Sequence, residues 1–267
     1  NIISNLKGTE LKEKITFTKQ NLTDANVIKK LPNFDVIVHM AALIDATESH
    51  QKEEKYIKYN VNVTKSLLTK VKPHGKFIFA SSAAVYGIPK SLPSNELDDL
   101  CPTSPYGYTK LAAEKEIVHY CSNRNVKYYI LRFFNTSGSY QGVYLSSQPT
   151  FSQNLFTQIR EKYNAGKPFI VKGSNFDTSD GTCERDFLDI NWLAKFVCEL
   201  VHSKKNIDSF ISNVGNGTPT SIRQLVVEIV KSHPDFRFEI AEPRAIEIPR
   251  SYACLMRLVD IINLMEM

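Results

Sequence analysis

The sequence predicts an α/β fold, a doubly wound parallel sheet followed by a smaller C-terminal lobe. Runs of apolar and β-branched residues alternate with amphipathic stretches of helical period, which is typical of βαβ units with helices on both faces of a sheet. Two of the runs are almost entirely apolar, as strands buried on both faces tend to be. After Asn135 the chain becomes a long polar loop, and this change marks the predicted start of the smaller lobe.

The predicted strands are the short runs rich in apolar and β-branched residues. They cover residues 15–19, 34–40, 76–82, 126–133 and 169–172. The predicted helices are the stretches whose apolar residues repeat with the spacing of one helical face. They cover residues 23–31, 53–71, 106–121 and about 151–163, with another beginning near Ser221.

The composition is that of a folded protein without a membrane span. The chain has 267 residues, of which 42% are hydrophobic and 23% charged, and no apolar stretch approaches the ~18 residues that a transmembrane helix needs. Its 33 basic and 28 acidic residues give a net charge of +5 without clustering, so we expect no nucleic-acid or membrane partner. The five cysteines lack CxxC spacing and the six histidines lack ligand spacing, which favours a reducing, cytoplasmic compartment and no metal site.

Ligands of doubly wound sheets bind outside the carboxyl ends of the strands, so the residues there are the first candidates for a site. The second predicted strand ends before Ala41 and Ala42, whose small side chains would let a ligand approach the backbone, although tight helix packing explains them equally well. The third ends in Ser81 and Ser82, which are either site hydroxyls or turn formers. The fourth delivers Asn135 to the same edge.

The spacing Tyr-x-x-x-Lys, which places two side chains on one face of a helix, occurs three times, beginning at Tyr86, Tyr106 and Tyr163. Chance makes such pairs common, so the surrounding residues decide between them. The first pair contains Pro89, which opposes a helix, and the third contains Gly166, which is typical of a helix end. Only the second opens a long helical pattern, with a proline suited to the first turn. Tyr106 is therefore the candidate.

Tyr106 and Lys110 have the chemistry of a base activated by a neighbouring charge, whereas Tyr108 lies two positions from Lys110 and faces elsewhere. A phenol with a pKa near 10 is about one part in a thousand ionised at pH 7, and shifting that pKa by ~3 units costs roughly 4 kcal/mol. A lysine one helical turn away and a cationic cofactor ring would lower the pKa of the phenol. Ser82 would hold the oxygen from which Tyr106 removes the proton.

With this constellation and the order of its motifs, the sequence resembles the extended short-chain dehydrogenases, and within them the NAD-dependent nucleotide-sugar epimerase/dehydratase family. The resemblance covers nearly the whole chain. The motifs that carry it are FDVIVHMAA, KFIFASSAAVYG, SPYGYTKLAAEK, LRFFNTSG, DGTCERDFLDI and EIPRSYA. It implies a Rossmann-like fold, with a dinucleotide-binding domain at residues 1–135 and 186–213 and a substrate-binding lobe at residues 136–185 and 214–267.

The resemblance implies a nucleotide-sugar 4-epimerase, which inverts C4 of a UDP-hexose or UDP-N-acetylhexosamine by transient oxidation with bound NAD. Tyr106 would take the proton of the sugar 4-hydroxyl, Ser82 would bond the same oxygen, and Lys110 would bind the cofactor ribose and lower the pKa of Tyr106. Dehydratases and decarboxylases of the family carry an acid after the serine, where this chain has Ala83 and Ala84. Those activities, a reductase, and a catalytically silent binding protein on the same scaffold are the alternatives.

The resemblance also assigns the other site residues by position. The cofactor-binding positions are Asn21, Leu22, Met40, Ala41, Ala42, Tyr59, Ser81, Tyr106, Lys110 and Phe134. The substrate-binding positions are Ser82, Asn135, Asn154, Leu155, Arg185, Arg244, Glu247 and Ser251. The two arginines suit a diphosphate, because guanidinium forks match phosphate oxygens, and Glu247 would accept hydrogen bonds from ribose hydroxyls.

Two positions bear on the choice of substrate. Lys172 stands where the family often has an aromatic or aliphatic residue packed on uracil, so the base preference stays open. Ser251 stands where a bulky tyrosine can exclude an N-acetyl group from the sugar pocket. A serine leaves room, and we expect N-acetylhexosamine nucleotides to be accepted.

The family usually opens with a strand, a GxxGxxG phosphate loop, a helix and a second strand, a unit of ~30 residues that the sequence does not show. The sequence begins just after the position of that second strand and stops short of the usual C-terminal helices. We expect a chain without this unit to lose NAD binding. The predicted helices at 53–71 and 106–121 commonly form a four-helix contact in this family, so we expect a homodimer by analogy.

Overall fold

The computed structural model describes residues 14–138, 155–243 and 247–266. The helices are α1 (Ala25–Lys30), α2 (Ala46–Ser49), α3 (Glu53–Tyr56), a π-helical segment (Ile57–Asn62), α4 (Val63–Leu68), a 3-10 turn (Ala83–Val85), α5 (Pro105–Ser122), α6 (Leu155–Asn164), α7 (Ile190–His202), α8 (Ile222–Ser232) and α9 (Met256–Glu266). The strands are β1 (Phe34–His39), β2 (Val71–Ser82), β3 (Lys127–Phe133), β4 (Asn135–Ser137), β5 (Phe169–Lys172), β6 (Glu184–Asp189), β7 (Phe210–Val214), β8 (Pro219–Ser221), β9 (Phe238–Ala241) and β10 (Arg250–Ser251).

Four parallel strands form the main sheet in the order β1-β2-β3-β7. Their register aligns Ser82 at the end of β2 with Phe133 at the end of β3, and Phe133 with Val214 at the end of β7. The carboxyl ends of the strands therefore meet at one edge of the sheet, where ligands of such folds bind.

Helices cover both faces of the main sheet. Side chains alternate along β2, so that Phe77 and Phe79 lie on one face and Ile78 on the other. The first face packs against α1, α4 and α5, with Leu67 and Ile117 among the contacts, and the second packs against α7 and α9. This is a doubly wound, Rossmann-like α/β sheet, and it confirms the predicted fold class.

The C-terminal half of the chain adds two smaller sheets. In one, β6 lies between β10 and β4 and also pairs antiparallel with β8. In the other, β5 pairs with β9, and α6 and α8 cover the pair. The buried residues of that core are Ile159, Phe169, Val171, Val226 and Phe236. The predicted domain boundaries stay a prediction.

Local capping explains why several helices begin where the sequence predicts. Asp24 accepts a hydrogen bond from the backbone of Asn26 at 2.9 Å and starts α1. Ser104 accepts from Gly107 at 3.2 Å and starts α5, and Ser221 in the same way starts α8. These side chains satisfy N–H groups that have no partner inside the helix. The first residues of the helix predicted at about 151–163, residues 151–154, lie outside the described residues.

The predicted strand at residues 15–19 is wrong, because residues 15–20 form no strand in the structure. Its large apolar side chains stay in solvent, with Ile15 49% and Phe17 61% exposed. A strand is stable only beside another strand edge, and among the described strands β1 pairs with β2 alone. Composition predicts that the segment favours a strand conformation, but it does not show whether a neighbouring strand is available for pairing.

The predicted helix at 53–71 and the start of the predicted strand at 76–82 also need correction. The helix is interrupted by the π-helical segment and ends at Leu68. β2 then begins at Val71, which pairs with Phe34 of β1. It passes through His74, with a positive φ of 64°, and Gly75, where a Cβ would lie 2.7 Å from the carbonyl oxygen of Asp35. Because the stretch is irregular, the sequence pattern does not reveal that β2 begins at Val71.

Candidate active site

A cavity of about 910 Å³ opens at the carboxyl edge of the main sheet. Its walls come from the loop after β1, the end of β2, the start of α5, the segment after β3, and the region around β6 and β10. The lining residues that were predicted for the site are Met40, Ser81, Ser82, Tyr106, Lys110, Phe134, Asn135, Arg185, Glu247 and Ser251. A second cavity of about 370 Å³ between α6 and α8 contains none of the predicted residues.

Ser82 ends β2 and performs two roles at once. Its Oγ accepts a hydrogen bond from the backbone of Ala84 at 3.2 Å, which starts the 3-10 turn. The same side chain hydrogen-bonds the phenol of Tyr106. The turn-forming role therefore accompanies the site role, and it fixes the hydroxyl at the mouth of the sheet.

Tyr106 enters the cavity from the first turn of α5. Its backbone N–H donates to Oγ of Ser49 at 3.1 Å. Tyr106 is 9% exposed and lines the cavity, whereas Tyr108 is 56% exposed and lies on the outer side of the helix. The structure thus separates the two tyrosines as the helical spacing predicts.

The pKa of Tyr106 lies above its ordinary value, because burial disfavours the phenolate and the hydrogen bond with Ser82 offsets this only in part. The direction is opposite to the lowering expected from Lys110. The cost of removing the phenol from water outweighs the effect of its neighbours.

Lys110 lies fully inside the protein, at 3% exposure. Its Nζ donates to the carbonyl oxygen of Ala80 at 2.6 Å and lies 4.8 Å from the ring centre of Phe79. Burial lowers the pKa of Lys110 to about 8, while the charge of Glu114 opposes that shift. The side chain is therefore protonated at neutral pH but close to its titration point.

The tyrosines of the two rejected tyrosine–lysine pairs form hydrogen bonds outside the large cavity. The hydroxyl of Tyr86 is buried, donates to Asn213 at 2.6 Å and accepts from Arg132 at 3.0 Å, and burial raises its pKa to about 12. Tyr163 bonds Asp235 at 3.0 Å outside the site. Neither tyrosine lines the large cavity.

Several predicted cofactor residues lie apart from the cavity wall. Asn21 accepts from Thr23 in an exposed turn before α1, and Leu22 packs against the core. Ala41 and Ala42 lie in the loop after β1, whose neighbours Met40 and Ile44 do line the cavity. The cavity wall contains neither alanine, and it contains no part of Tyr59.

Asn60, beside Tyr59, is a residue that the sequence argument missed. It is buried in the π-helical segment, where its side chain donates to the carbonyl of Leu43 at 2.9 Å and accepts from the Leu43 N–H at 2.8 Å. It also donates to Thr109, next to Lys110, at 3.0 Å. Asn60 thus ties the loop after β1 to α5. The signal was a polar residue at a core-facing helical position, four residues after buried Tyr56.

The cavity wall also contains Arg185 of β6 and Glu247, whose side chains form an ion pair at 3.1 Å. Ser251 of β10 is the strand partner of Arg185. Asn135 lines the cavity, while Leu155 at the start of α6 packs against the β5–β9 core instead. Asn154 and Arg244 lie outside the described residues.

Two absences hold for the part of the chain that the structure describes. It contains no group of three or more histidine, cysteine, aspartate or glutamate residues placed to hold a metal ion. None of its helices is both long enough and apolar enough to cross a membrane.

The relatives of the chain are epimerases. The sequence is 33% identical over 231 residues to UDP-glucose 4-epimerase 2 of Oryza sativa subsp. japonica, covering 82% of this chain and 56% of that protein. It thus spans little more than half the length of this curated relative.

Solved structures agree with this likeness. The UDP-Glc/GlcNAc 4-epimerase from Campylobacter jejuni matches 97% of this chain and 80% of its own chain, with 31% identity and a TM-score of 0.78. The UDP-glucose 4-epimerase from Bifidobacterium longum in complex with NAD+ and UDP matches 89% and 74%, with 28% identity and a TM-score of 0.79. A family model described as the NAD dependent epimerase/dehydratase family matches residues 3–215. The chain belongs to the NAD-dependent epimerase/dehydratase family.

Proposed function

We propose that this protein is a nucleotide-sugar 4-epimerase, which inverts C4 of a UDP-hexose or UDP-N-acetylhexosamine by transient oxidation with bound NAD. The observation that carries the proposal is that Ser82, Tyr106 and Lys110 line one cavity together with Arg185 and Glu247. Proton-transfer groups and anion-binding groups thus share one space large enough for a small-molecule ligand.

The cavity fits the nicotinamide part of NAD. Met40 and Phe134 offer apolar surface for a flat ring, the small Ala80 leaves the strand end accessible, and the buried ammonium of Lys110 has donors for ribose hydroxyls. When bound, NAD supplies the acceptor and later the donor of the C4 hydride. Ser81 and the loop after β1 complete the proposed cofactor wall.

The proposed roles of the three polar residues follow from their contacts. Tyr106 removes the proton from the sugar 4-hydroxyl, and Ser82, which already bonds the phenol, bonds the same sugar oxygen. Because burial raises the pKa of Tyr106, the phenolate needs positive charge nearby. Lys110 provides that charge only while it is protonated.

The proposed substrate wall contains the ion pair of Arg185 and Glu247. Arg185 would exchange its bond with Glu247 for the diphosphate oxygens, since a guanidinium fork matches two oxygens at once. Glu247 would then accept from ribose hydroxyls. Asn135 and, by family position, Asn154, Leu155 and Arg244 complete the set.

The residues after Ser82 favour epimerisation over the related eliminations. Ala83 and Ala84 line the cavity beside Ser82, so no carboxylic acid stands there to move protons at neighbouring carbons. A dehydratase or decarboxylase is disfavoured for that reason. A silent binding protein is disfavoured because Ser82, Tyr106 and Lys110 are retained together and line one cavity.

We also propose that the protein is a homodimer through α3, the π-helical segment, α4 and α5. Ile57 is 41% exposed and Tyr108 is 56% exposed on this surface, and such apolar residues are common at subunit contacts. Sedimentation equilibrium of the full chain tests the proposal, and a monomer at all working concentrations contradicts it.

The function is tested by incubating the full-length protein that contains this sequence with NAD and either UDP-glucose or UDP-N-acetylglucosamine, and following the configuration at C4 by proton NMR. We expect interconversion, and a loss of at least about 100-fold in kcat for Tyr106→Phe because the general base is removed. Tyr108→Phe is the matched control and should retain wild-type activity. Full activity of Tyr106→Phe, with NAD bound, would rule out the mechanism.

A further inference from the structure

A fully enclosed ion pair lies behind the proposed catalytic residues. Glu114 and Arg132 are each 2% exposed. The guanidinium donates to both carboxylate oxygens of Glu114, from Nε at 3.1 Å and from Nη2 at 2.8 Å. Ser81 donates a further hydrogen bond to the same carboxylate. Removing two charges from water is costly, and a buried pair is weak evidence for stability alone.

The pair belongs to a regular set of contacts between α5 and β2. Tyr106, Lys110 and Glu114 are spaced four residues apart, so they follow one another along one face of α5. Each bonds one of three consecutive residues of β2: Tyr106 bonds Ser82, Lys110 bonds the carbonyl of Ala80, and Glu114 bonds Ser81. Glu114 is thus the third contact in the row that contains the proposed base and its lysine.

We propose that Glu114 is the positioning residue of this site: its carboxylate, held in place by Arg132 and Ser81, keeps Lys110 an ammonium ion against the end of β2. The reaction served by this role is the one in the proposed function, on which the inference rests. Glu114 touches no substrate and acts only through Lys110.

The charges around Lys110 support this role. His39 faces Lys110 from β1, but burial and the charge of Lys110 lower its pKa to about 3, so it is neutral at working pH. Tyr106 on α5 is a neutral phenol, because burial raises its pKa. Arg132 from β3 bonds the carboxylate of Glu114 itself. Among the described residues, Glu114 is the anion that opposes the lowering of the Lys110 pKa by burial.

The test removes the charge of the Glu114 side chain and keeps its shape. In Glu114→Gln, the pKa of Lys110 should fall below its wild-type value of about 8, because the opposing anion is gone. Lys110 would then lose its proton at lower pH, so the alkaline limb of the kcat profile should move to lower pH. At about pH 8 we expect kcat to fall by about tenfold, with a much smaller effect at about pH 6 and little change in KM.

Three further variants separate this role from simple destabilisation. Glu114→Asp keeps the charge and should restore a near wild-type pH profile. Glu116→Gln on the same helix breaks the exposed ion pair with Lys65 and is the matched control, with an unchanged profile expected. The double variant E114Q/R132Q removes both buried charges, so it avoids an unpaired guanidinium. It should lower the pKa of Lys110 in the same direction as Glu114→Gln but by less, because the cation of Arg132 is removed together with the anion.

A titration of the Lys110 side chain by NMR tests the proposal independently of catalytic turnover. The lysine signals of the isotope-labelled full chain are followed against pH, and Lys110 is assigned by its loss in Lys110→Met. A lower midpoint in Glu114→Gln or E114Q/R132Q supports the inference even if wild type lacks epimerase activity, which would refute only the proposed function. An unchanged midpoint in a folded variant overturns the inference. The inference is also overturned if both Glu114→Gln and E114Q/R132Q unfold while Glu114→Asp folds, because the role of Glu114 is then structural.

Discussion

Ser251 is the residue at which we expect the choice of sugar to be set. It lies half-buried in the cavity wall, paired in register with Arg185. We expect Ser251→Tyr to reduce kcat/KM for UDP-N-acetylglucosamine by at least about tenfold, since overfilling a packed wall costs about 1–3 kcal/mol. Turnover of UDP-glucose should change much less.

The measurement is the ratio of kcat/KM for the two sugars in wild type and variant. Ser251→Ala, which removes the hydroxyl without adding volume, is the matched control and should leave the ratio unchanged. An equal loss with both sugars in Ser251→Tyr would mean that the position does not distinguish them.

At the scale of single residues, helical spacing and strand ends predict Ser82, Tyr106 and Lys110, whereas the family resemblance supplies Arg185 and Glu247. Tyr106 was separable from its rivals because a proline or glycine breaks the other helical patterns. Asn60 and Glu114 were missed. The role of a polar residue on the buried face of a helix can be inferred only when its hydrogen-bond partners on distant segments are known. Burial raises the pKa of Tyr106, and helical spacing does not reveal this effect because burial depends on the whole fold.

At the scale of elements, the contact between α5 and the 3-10 turn decides the position of Tyr106. A Cβ on Gly107 would lie 2.6 Å from the carbonyl oxygen of Ala84 and 2.9 Å from Cβ of Pro102. We expect Gly107→Ala to push the start of α5 away from the turn. This should cost about 1–3 kcal/mol of unfolding free energy and lower kcat by about tenfold or more through misplacement of Tyr106.

Urea denaturation and steady-state kinetics measure the two effects separately. The control is Gly166→Ala at the end of α6, where a positive φ of 62° strains alanine but no atom lies within 4 Å of the new Cβ. It should lose about 1 kcal/mol of stability and keep its kcat. If Gly107→Ala shows the same pattern as this control, the helix start does not position the base.

Elements with a strong periodic pattern were predicted to within one or two residues, as α5 and β3 show. The segment at 15–19 failed because strand propensity cannot report a missing neighbour. The start of β2 failed because its first residues contain Pro73 and Gly75, both of which argue against a strand when read alone. Pairing between Val71 and Phe34 overrides that local preference.

At the scale of the whole molecule, the substrate wall joins segments that are far apart in the chain. β4 follows the main sheet directly, yet it pairs with β6, which in turn pairs with β10 near the C-terminal end of the described chain. Periodicity cannot predict such long-range pairing, and only the resemblance to a family placed Asn135, Arg185 and Ser251 together. Fold class was therefore predictable from local pattern, but the shape of the cavity was not.

Stability of the whole molecule should depend on pH through His39. This residue is 3% exposed, bonds Thr64 at 2.9 Å, and has a pKa lowered from 6.5 to about 3 by burial and by Lys110. Between those values the unfolded chain binds a proton at His39 that the folded chain does not bind. The resulting stabilisation is fully present above pH 6.5 and is lost as pH falls toward about 3. By linkage its full size is about 5 kcal/mol.

We therefore expect His39→Gln to unfold with a weaker pH dependence than wild type, because an amide can still bond Thr64 but does not titrate. Urea denaturation at about pH 7 and about pH 4 gives the unfolding free energy of each protein, and the difference between the two values should be smaller in the variant. His119→Gln, an exposed replacement on α5, is the control and should follow wild type. Equal differences in wild type and His39→Gln would mean that the folded protein accommodates a protonated His39, so that the acid sensitivity of the fold arises at other residues.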